Sequence, residues 1–390
     1  MKKFIPYGRQ HLNKSDFNAL KKAFYSNFIT GGNSVAVFEK KFCDYTKAKY
    51  SVSCSSGTAA IHLALEAIGL KKNDNIIIPA INFVAAANLA KKIGAKVLLA
   101  DVDPISGQMR PSDLLKCIKQ NKIKKIKAFF SMYNGGNPNN VIEFNKIKKK
   151  YKCFFIEDSC HALGATYSCS KNLKVGDCRF SDISTFSFHP VKSITTGEGG
   201  MITTSNYQIY KKCQILKNHG ILRKKSNKKK YYWKYQIIDH GFNYRLSDLN
   251  CSIGISQLKK LDFFINKRNK VANLYYKLLS GHQDVILLPK VSEDQKSAWH
   301  LYIININFKK LKISREKLIQ KLFLKKIITQ VHYIPTFEQP AFSDLKNKNL
   351  FNSIQYFKNS LSLPIYVDLK PQTQRYVAKC LTKIIKLNRK

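Results

Sequence analysis

The chain of 390 residues is 44% hydrophobic and 24% charged, ordinary proportions for a globular protein with room for one large and one smaller domain. No run of about 18 apolar residues occurs, and the start MKKFIPYGRQHLNK lacks the apolar stretch of a secretion signal, so neither a membrane span nor export is expected. A net charge of +44 raises nucleic acid as a partner, but the excess is lysine spread from end to end, which argues for none. Ten cysteines without a C-x-x-C pair or zinc-like spacing read as reduced thiols of a cytoplasmic protein with no metal site.

In chain order, Ser55-Ser56-Gly57-Thr58 leads into a good helix former, Ala59 to Leu65. Short apolar runs follow at 76–79, 97–100, 128–131 and 153–156, each separated from the next by a helix-length segment. That alternation predicts βαβ units and a mainly parallel sheet covered on both faces. Two more strands are predicted at 181–187 and 200–204, joined by the loop FSFHPVKSITTGEGG. After about Leu258 the character changes. One long helix is expected over 257–279, strands at 298–307 and 327–333, and a basic helix over 372–386. The expected division is a large domain 1–258 and a smaller α+β domain 259–390. The run 223–230, rich in Lys, reads as a solvated loop.

Three places carry chemistry. The small polar residues before Ala59 suit either a plain N-cap or a phosphate at the helix start. Asp158 stands at the end of a buried strand, where it either caps a following helix or pairs with a protonated heterocycle nitrogen. Lys192 lies in a loop bounded by Pro190 and glycines. A lysine that bonds an aldehyde must lose its proton readily, so it must be partly desolvated or near positive charge. The order of phosphate cradle, strand-end acid and loop lysine supplies the three attachments that pyridoxal 5'-phosphate needs.

With these residues the sequence resembles the fold type I, pyridoxal-phosphate-dependent nucleotide-sugar aminotransferases (DegT/StrS type) over nearly the whole chain. The likeness runs through Ile5 to Gln10, Ser56 to Ala60, Glu157 to Ala162, Phe186 to Gly200, Gly241 to Asp248 and Val331 to Pro335. It implies an α/β fold with a mainly parallel seven-stranded type of sheet in the large domain. It also implies that Lys192 bonds the cofactor aldehyde and shuttles the proton, and that Asp158 keeps the pyridine nitrogen protonated. Gly57, Thr58 and Ser187 would contact the phosphate, Phe83 would stack on the ring, and His161 would lie near the ring hydroxyl. Asn243 would reach the phosphate across the interface of a homodimer with shared sites, and Tyr7, Arg245 and His332 would contact substrate. Within the family the segments around Lys192 and His332 look most like the pseudaminic acid branch. That branch moves the amino group of L-glutamate to C4 of a UDP-linked 4-keto-6-deoxy-N-acetyl-L-hexosamine, for surface polysaccharide or flagellin. The rivals are another 4-keto or 3-keto nucleotide sugar, of perosamine or bacillosamine type, and a non-catalytic cofactor-binding regulator. Sugar dehydratases among the relatives carry His where this chain has Lys192. The turn 131–138 departs from the family, which usually has a histidine and a single glycine pair there.

Overall fold

The computed structural model describes residues 4–170, 172–223, 231, 233–291, 295–346 and 349–390. Its centre is a seven-stranded sheet of β1 (Tyr50–Cys54), β2 (Asn75–Pro79), β3 (Lys96–Ala100), β4 (Ala128–Met132), β5 (Phe154–Asp158), β6 (Ile183–Ser187) and β7 (Gly200–Thr204). The spatial order is β1-β7-β6-β5-β4-β2-β3. Neighbours from β3 across to β6 pair in parallel. The strand β7 runs antiparallel to both β6 and β1. Its direction follows from its connection: the loop between Ser187 and Gly200 contains no crossover helix, so the chain returns antiparallel. The mainly parallel α/β sheet expected from the alternation is present.

Both faces are covered, and adjacent strand residues enter different cores. Phe129 and Phe155 pack on one side, and Phe130 and Ile156 on the other. This explains the continuous apolar runs, since a strand buried on both faces has no polar alternate. The strand β1 was not predicted. Its sequence, YSVSC, alternates serine with small apolar residues and looks half-exposed, yet Ser51 and Ser53 are buried. Glu39 makes that possible: its carbonyl accepts from Ser51 Oγ (2.7 Å) and its carboxylate from Ser53 Oγ (2.8 Å).

Beyond the sheet, the helix expected over 257–279 is present as Leu261–Leu279, preceded by a separate helix, Asp248–Leu258. They are separated at Lys260, whose ammonium turns back to Asp16 (2.6 Å). A three-stranded antiparallel sheet of Ile286–Leu287, Tyr302–Ile306 and Ser360–Leu363 packs with the helix Pro371–Leu387 around a separate core. Two strand expectations are corrected here. Residues 298–301 leave the sheet to bond Gly135 and Gly136 (Ala298 N–H to the Gly136 carbonyl, 2.9 Å). Residues 327–333 make only single bridges, Ile5 with Ile327 and Gln330 with Ser362, because the chain passes between partners rather than along one. No helix among the described residues is long and apolar enough to cross a membrane.

Candidate active site

The C-terminal ends of β4, β5 and β6 and the start of the helix Gly57–Ala67 surround a cavity of about 370 Å³. Open α/β sheets collect ligands at this end of their strands.

One corner is built of backbone and hydroxyl groups. Ser56 caps this helix, its Oγ accepting from the Ala59 N–H (3.0 Å). The cap leaves other first-turn N–H groups without a partner inside the helix. Gly57, Thr58 and Ser187 line this corner. A Cβ on Gly57 would stand 2.8 Å from the Ser187 Cβ, and one on Gly200 would strike the Ser56 carbonyl. Two absent side chains therefore let the helix start close onto the strand ends, which makes a cradle sized for an anion.

Next to the corner lies Asp158, 2% exposed. No helix follows it; the chain makes a turn, and the carboxylate accepts the Cys160 N–H there (3.2 Å). The helix-capping alternative is thereby removed. Burial pushes the Asp158 carboxyl above its usual range, against the bonds from Cys160 and the charge of Lys192. A buried carboxylate so placed calls for a cationic partner.

Lys192 faces the same space from the loop between β6 and β7. Hydrogen bonds fold that loop back on itself: Phe188 N–H to the Gly199 carbonyl (2.8 Å), Lys192 N–H to His189 (2.9 Å) and Thr196 N–H to Phe188 (3.1 Å). Burial pulls the ammonium below the ordinary lysine range, while Cys160 and Asp158 oppose the shift. This is the desolvated amine that the loop punctuation suggested.

The opposite wall is aromatic. His161 is 1% exposed, its Nε2 lies 3.0 Å from Tyr333 Oη, and its Nδ1 has no partner among the described residues. His332 Nδ1 bonds Ser362 Oγ (2.8 Å), and its ring sits 5.6 Å from that of Tyr7. Phe83, half-exposed at the rim, is 6.0 Å from Tyr333. Burial and the nearby Lys192 charge drive His161 well below the usual histidine range and His332 to about 4. Both imidazoles are neutral at neutral pH.

Of the residues named from the sequence, Tyr7, Gly57, Thr58, Phe83, Asp158, His161, Ser187, Lys192 and His332 line this one cavity. Asn243 and Arg245 do not; both are exposed, and Arg245 Nη1 donates to Asn218 Oδ1 (2.7 Å). The turn 131–138 contributes Met132 at its start and then looks inward, with Asn134 Nδ2 donating to Tyr356 Oη (2.7 Å). The Lys-rich run lies, from 224 to 230, outside the described residues. Sequence reasoning missed Cys160, His300 and Tyr333. Cys160 and Tyr333 sat inside quoted motifs without an assigned part, whereas His300 carried no local signal.

The sequence matches the model of the DegT/DnrJ/EryC1/StrS aminotransferase family over residues 10–382. The chain belongs to this family. The aminotransferase is 35% identical over 382 residues to the UDP-4-amino-4,6-dideoxy-N-acetyl-beta-L-altrosamine transaminase of Campylobacter jejuni subsp. jejuni serotype O:23/36, with 98% of this chain and 97% of that one covered. Among solved structures it is similar to Helicobacter pylori PseC, an aminotransferase involved in the biosynthesis of pseudoaminic acid (TM-score 0.88, 28% identity, 99% of this chain and 100% of that one). It is also similar to a Bacillus subtilis protein, ntda, with bound cofactor PMP (TM-score 0.83, 28% identity, 96% and 82%). The aminotransferase is thus an enzyme of nucleotide-sugar type, and the cavity has the size, anion cradle, acid and amine to fit a pyridoxal phosphate.

Proposed function

We propose that this aminotransferase moves the amino group of L-glutamate to C4 of a UDP-linked 4-keto-6-deoxy-N-acetyl-L-hexosamine, with pyridoxal 5'-phosphate as cofactor. The observation that carries the reading is the meeting of the Gly57–Ser187 cradle, buried Asp158 and desolvated Lys192 around one cavity. Its sugar specificity is supported by the 35% identity to the altrosamine transaminase.

Gly57, Thr58 and Ser187 would hold the phosphate, Asp158 the ring nitrogen, His161 the ring hydroxyl, and Phe83 the ring face. Bound there, the cofactor supplies an aldehyde for the amino group and a ring that takes up an electron pair. Asp158, deep in low dielectric, stabilises a proton on that ring nitrogen. Lys192 Nζ, losing its own proton easily through burial, takes the proton from Cα of the amino donor. In the second half it delivers a proton to C4 of the sugar, so one base serves both directions. The loop hydrogen bonds keep that amine at a fixed place beside Asp158.

The homodimer with shared sites belongs to this reading. Asn243 and Arg245 face outward, close in sequence to exposed Trp233, Tyr235 and Ile237, which suits a surface completed by a second copy. So do the division at residue 258, the contacts of Tyr7 and His332 with the sugar, and a place in the cytoplasm, where ten free thiols stay reduced. The test is the purified enzyme supplied with cofactor, L-glutamate and the UDP-linked 4-keto sugar, with product read by mass spectrometry. The amino sugar is the expected product. Reaction with L-glutamate but none with this sugar would move the assignment to another keto sugar, and no cofactor absorbance change with any amino donor would remove the role of Lys192.

A further inference from the structure

We propose that His300 is a sugar-recognition residue of this site, in contact with a hydroxyl or the keto oxygen of the nucleotide-linked substrate. The proposal rests on the aminotransferase reading above and adds a residue that no motif in the sequence marks. His300 lines the cavity, is 4% exposed, and packs against His161 with ring centroids 4.3 Å apart and the planes tilted by 41°. Its Nδ1 has no hydrogen-bond partner among the described residues. A buried polar atom left unpaired is costly, and one at a ligand cavity points to a partner that the ligand brings.

The position of His300 is built with care. The residue before it, Trp299, has φ 45°, a left-handed conformation that bulky side chains rarely adopt. Three contacts over-determine that backbone. Ser297 Oγ accepts the Trp299 N–H (3.1 Å), and Asn269 Oδ1 accepts the indole N–H (3.1 Å). Arg268, 1% exposed, donates from Nη1 to the carbonyls of Trp299 (3.2 Å), His300 (3.4 Å) and Ile365 (3.2 Å). No carboxylate among the described residues pairs with this guanidinium, and all three bonds from Nη1 go to backbone. Ile365 N–H in turn donates to the Tyr7 carbonyl (2.9 Å), so the same cation steadies Tyr7. Arg268 is a positioning residue for this wall.

The chemistry of the wall favours the sugar over the amino acid. Among the described residues no arginine lines the cavity, and its far side is His161, His300, His332, Tyr7 and Tyr333. Burial, with the positive charges of Lys192 and Arg268, keeps the His300 imidazole uncharged. Neutral imidazoles and phenols both donate and accept, which suits hydroxyls and a ketone; the carboxylates of an amino donor would call for a cation.

The test separates the two half-reactions in cofactor-loaded enzyme carrying His300→Phe or His300→Asn. Stopped-flow absorbance should show the reaction with L-glutamate within about twofold of wild type. The following reaction with the UDP-linked keto sugar should slow by about 10- to 100-fold in His300→Phe and by less in His300→Asn, since removing the partner of a substrate hydroxyl acts on that substrate alone. Calorimetric binding of the amino-sugar product should weaken by about tenfold, with His300→Asn melting like wild type. Equal losses in both half-reactions, or an unchanged sugar half-reaction and product affinity, would overturn the proposal. Wild-type enzyme that reacts with L-glutamate but with no nucleotide keto sugar would defeat the functional reading itself, and this shows before any variant is compared.

Discussion

Glu157 and Asp158 are consecutive carboxylates on β5, both almost fully buried, and they are opposites. Their side chains leave the strand on different faces. Glu157 points away from the cavity and accepts from four hydroxyls: Tyr133, Ser184, Tyr167 (2.9 Å) and Ser181 (2.8 Å). Asp158 faces the cavity and accepts the Cys160 backbone N–H. The first carboxylate has its solvation replaced by the protein and serves the fold. The second is left short of partners beside a desolvated lysine, and its under-solvation is what makes it useful to a protonated ligand. Burial alone does not distinguish a structural acid from a functional one; the count of donors around it does.

Substitutions test this contrast. The largest effect is expected on the cavity face, where Lys192→Ala or Asp158→Asn should lower turnover by at least about 1000-fold, on the scale seen when a group acting on the reacting atoms is removed. Thermal unfolding of the cofactor-free variants should show little loss. Large destabilisation with proportionate activity loss would make Asp158 a structural acid after all. On the other face Glu157→Gln should do the reverse. Four hydroxyls would face a weaker acceptor that brings its own donors, costing about 2–4 kcal/mol in denaturant unfolding, while activity per folded molecule falls less than about tenfold. A stable Glu157→Gln with no turnover would erase the distinction between the faces.

A third test concerns acid. His332 is neutral in the folded state to about pH 4 but titrates near 6.5 once unfolded. Between these values the unfolded chain binds more protons, so stability falls as pH drops from about 6.5 to about 4 and levels off below. The contribution is at most about 3 kcal/mol. His332→Asn should flatten that part of the profile of melting temperature against pH; an unchanged slope would mean that His332 is not held neutral by the cavity. The smallest effect belongs to Tyr333→Phe, which removes the bond to His161 Nε2 and should cost about 3- to 10-fold in kcat/KM with L-glutamate and keto sugar. No change would leave Tyr333 as packing alone.

Local rules govern the part of this protein that is legible along the chain. The apolar runs of β2 to β5 are continuous because both faces are covered. The helix start at Gly57, the acid at the end of β5 and the lysine in the loop after β6 each follow from a short stretch. The far side of the cavity depends instead on contacts between distant segments. β1 hides two serines because Glu39 reaches them from another element. Residues 327–333 resemble a strand but lack a continuous partner, and pairing is not a property of one segment. His300 reaches the cavity because Arg268, from a helix 32 residues earlier, holds its backbone carbonyl. The order of residues along the chain encodes what neighbours in sequence do to one another. Which distant groups solvate or leave bare a buried polar atom is settled only when the chain packs.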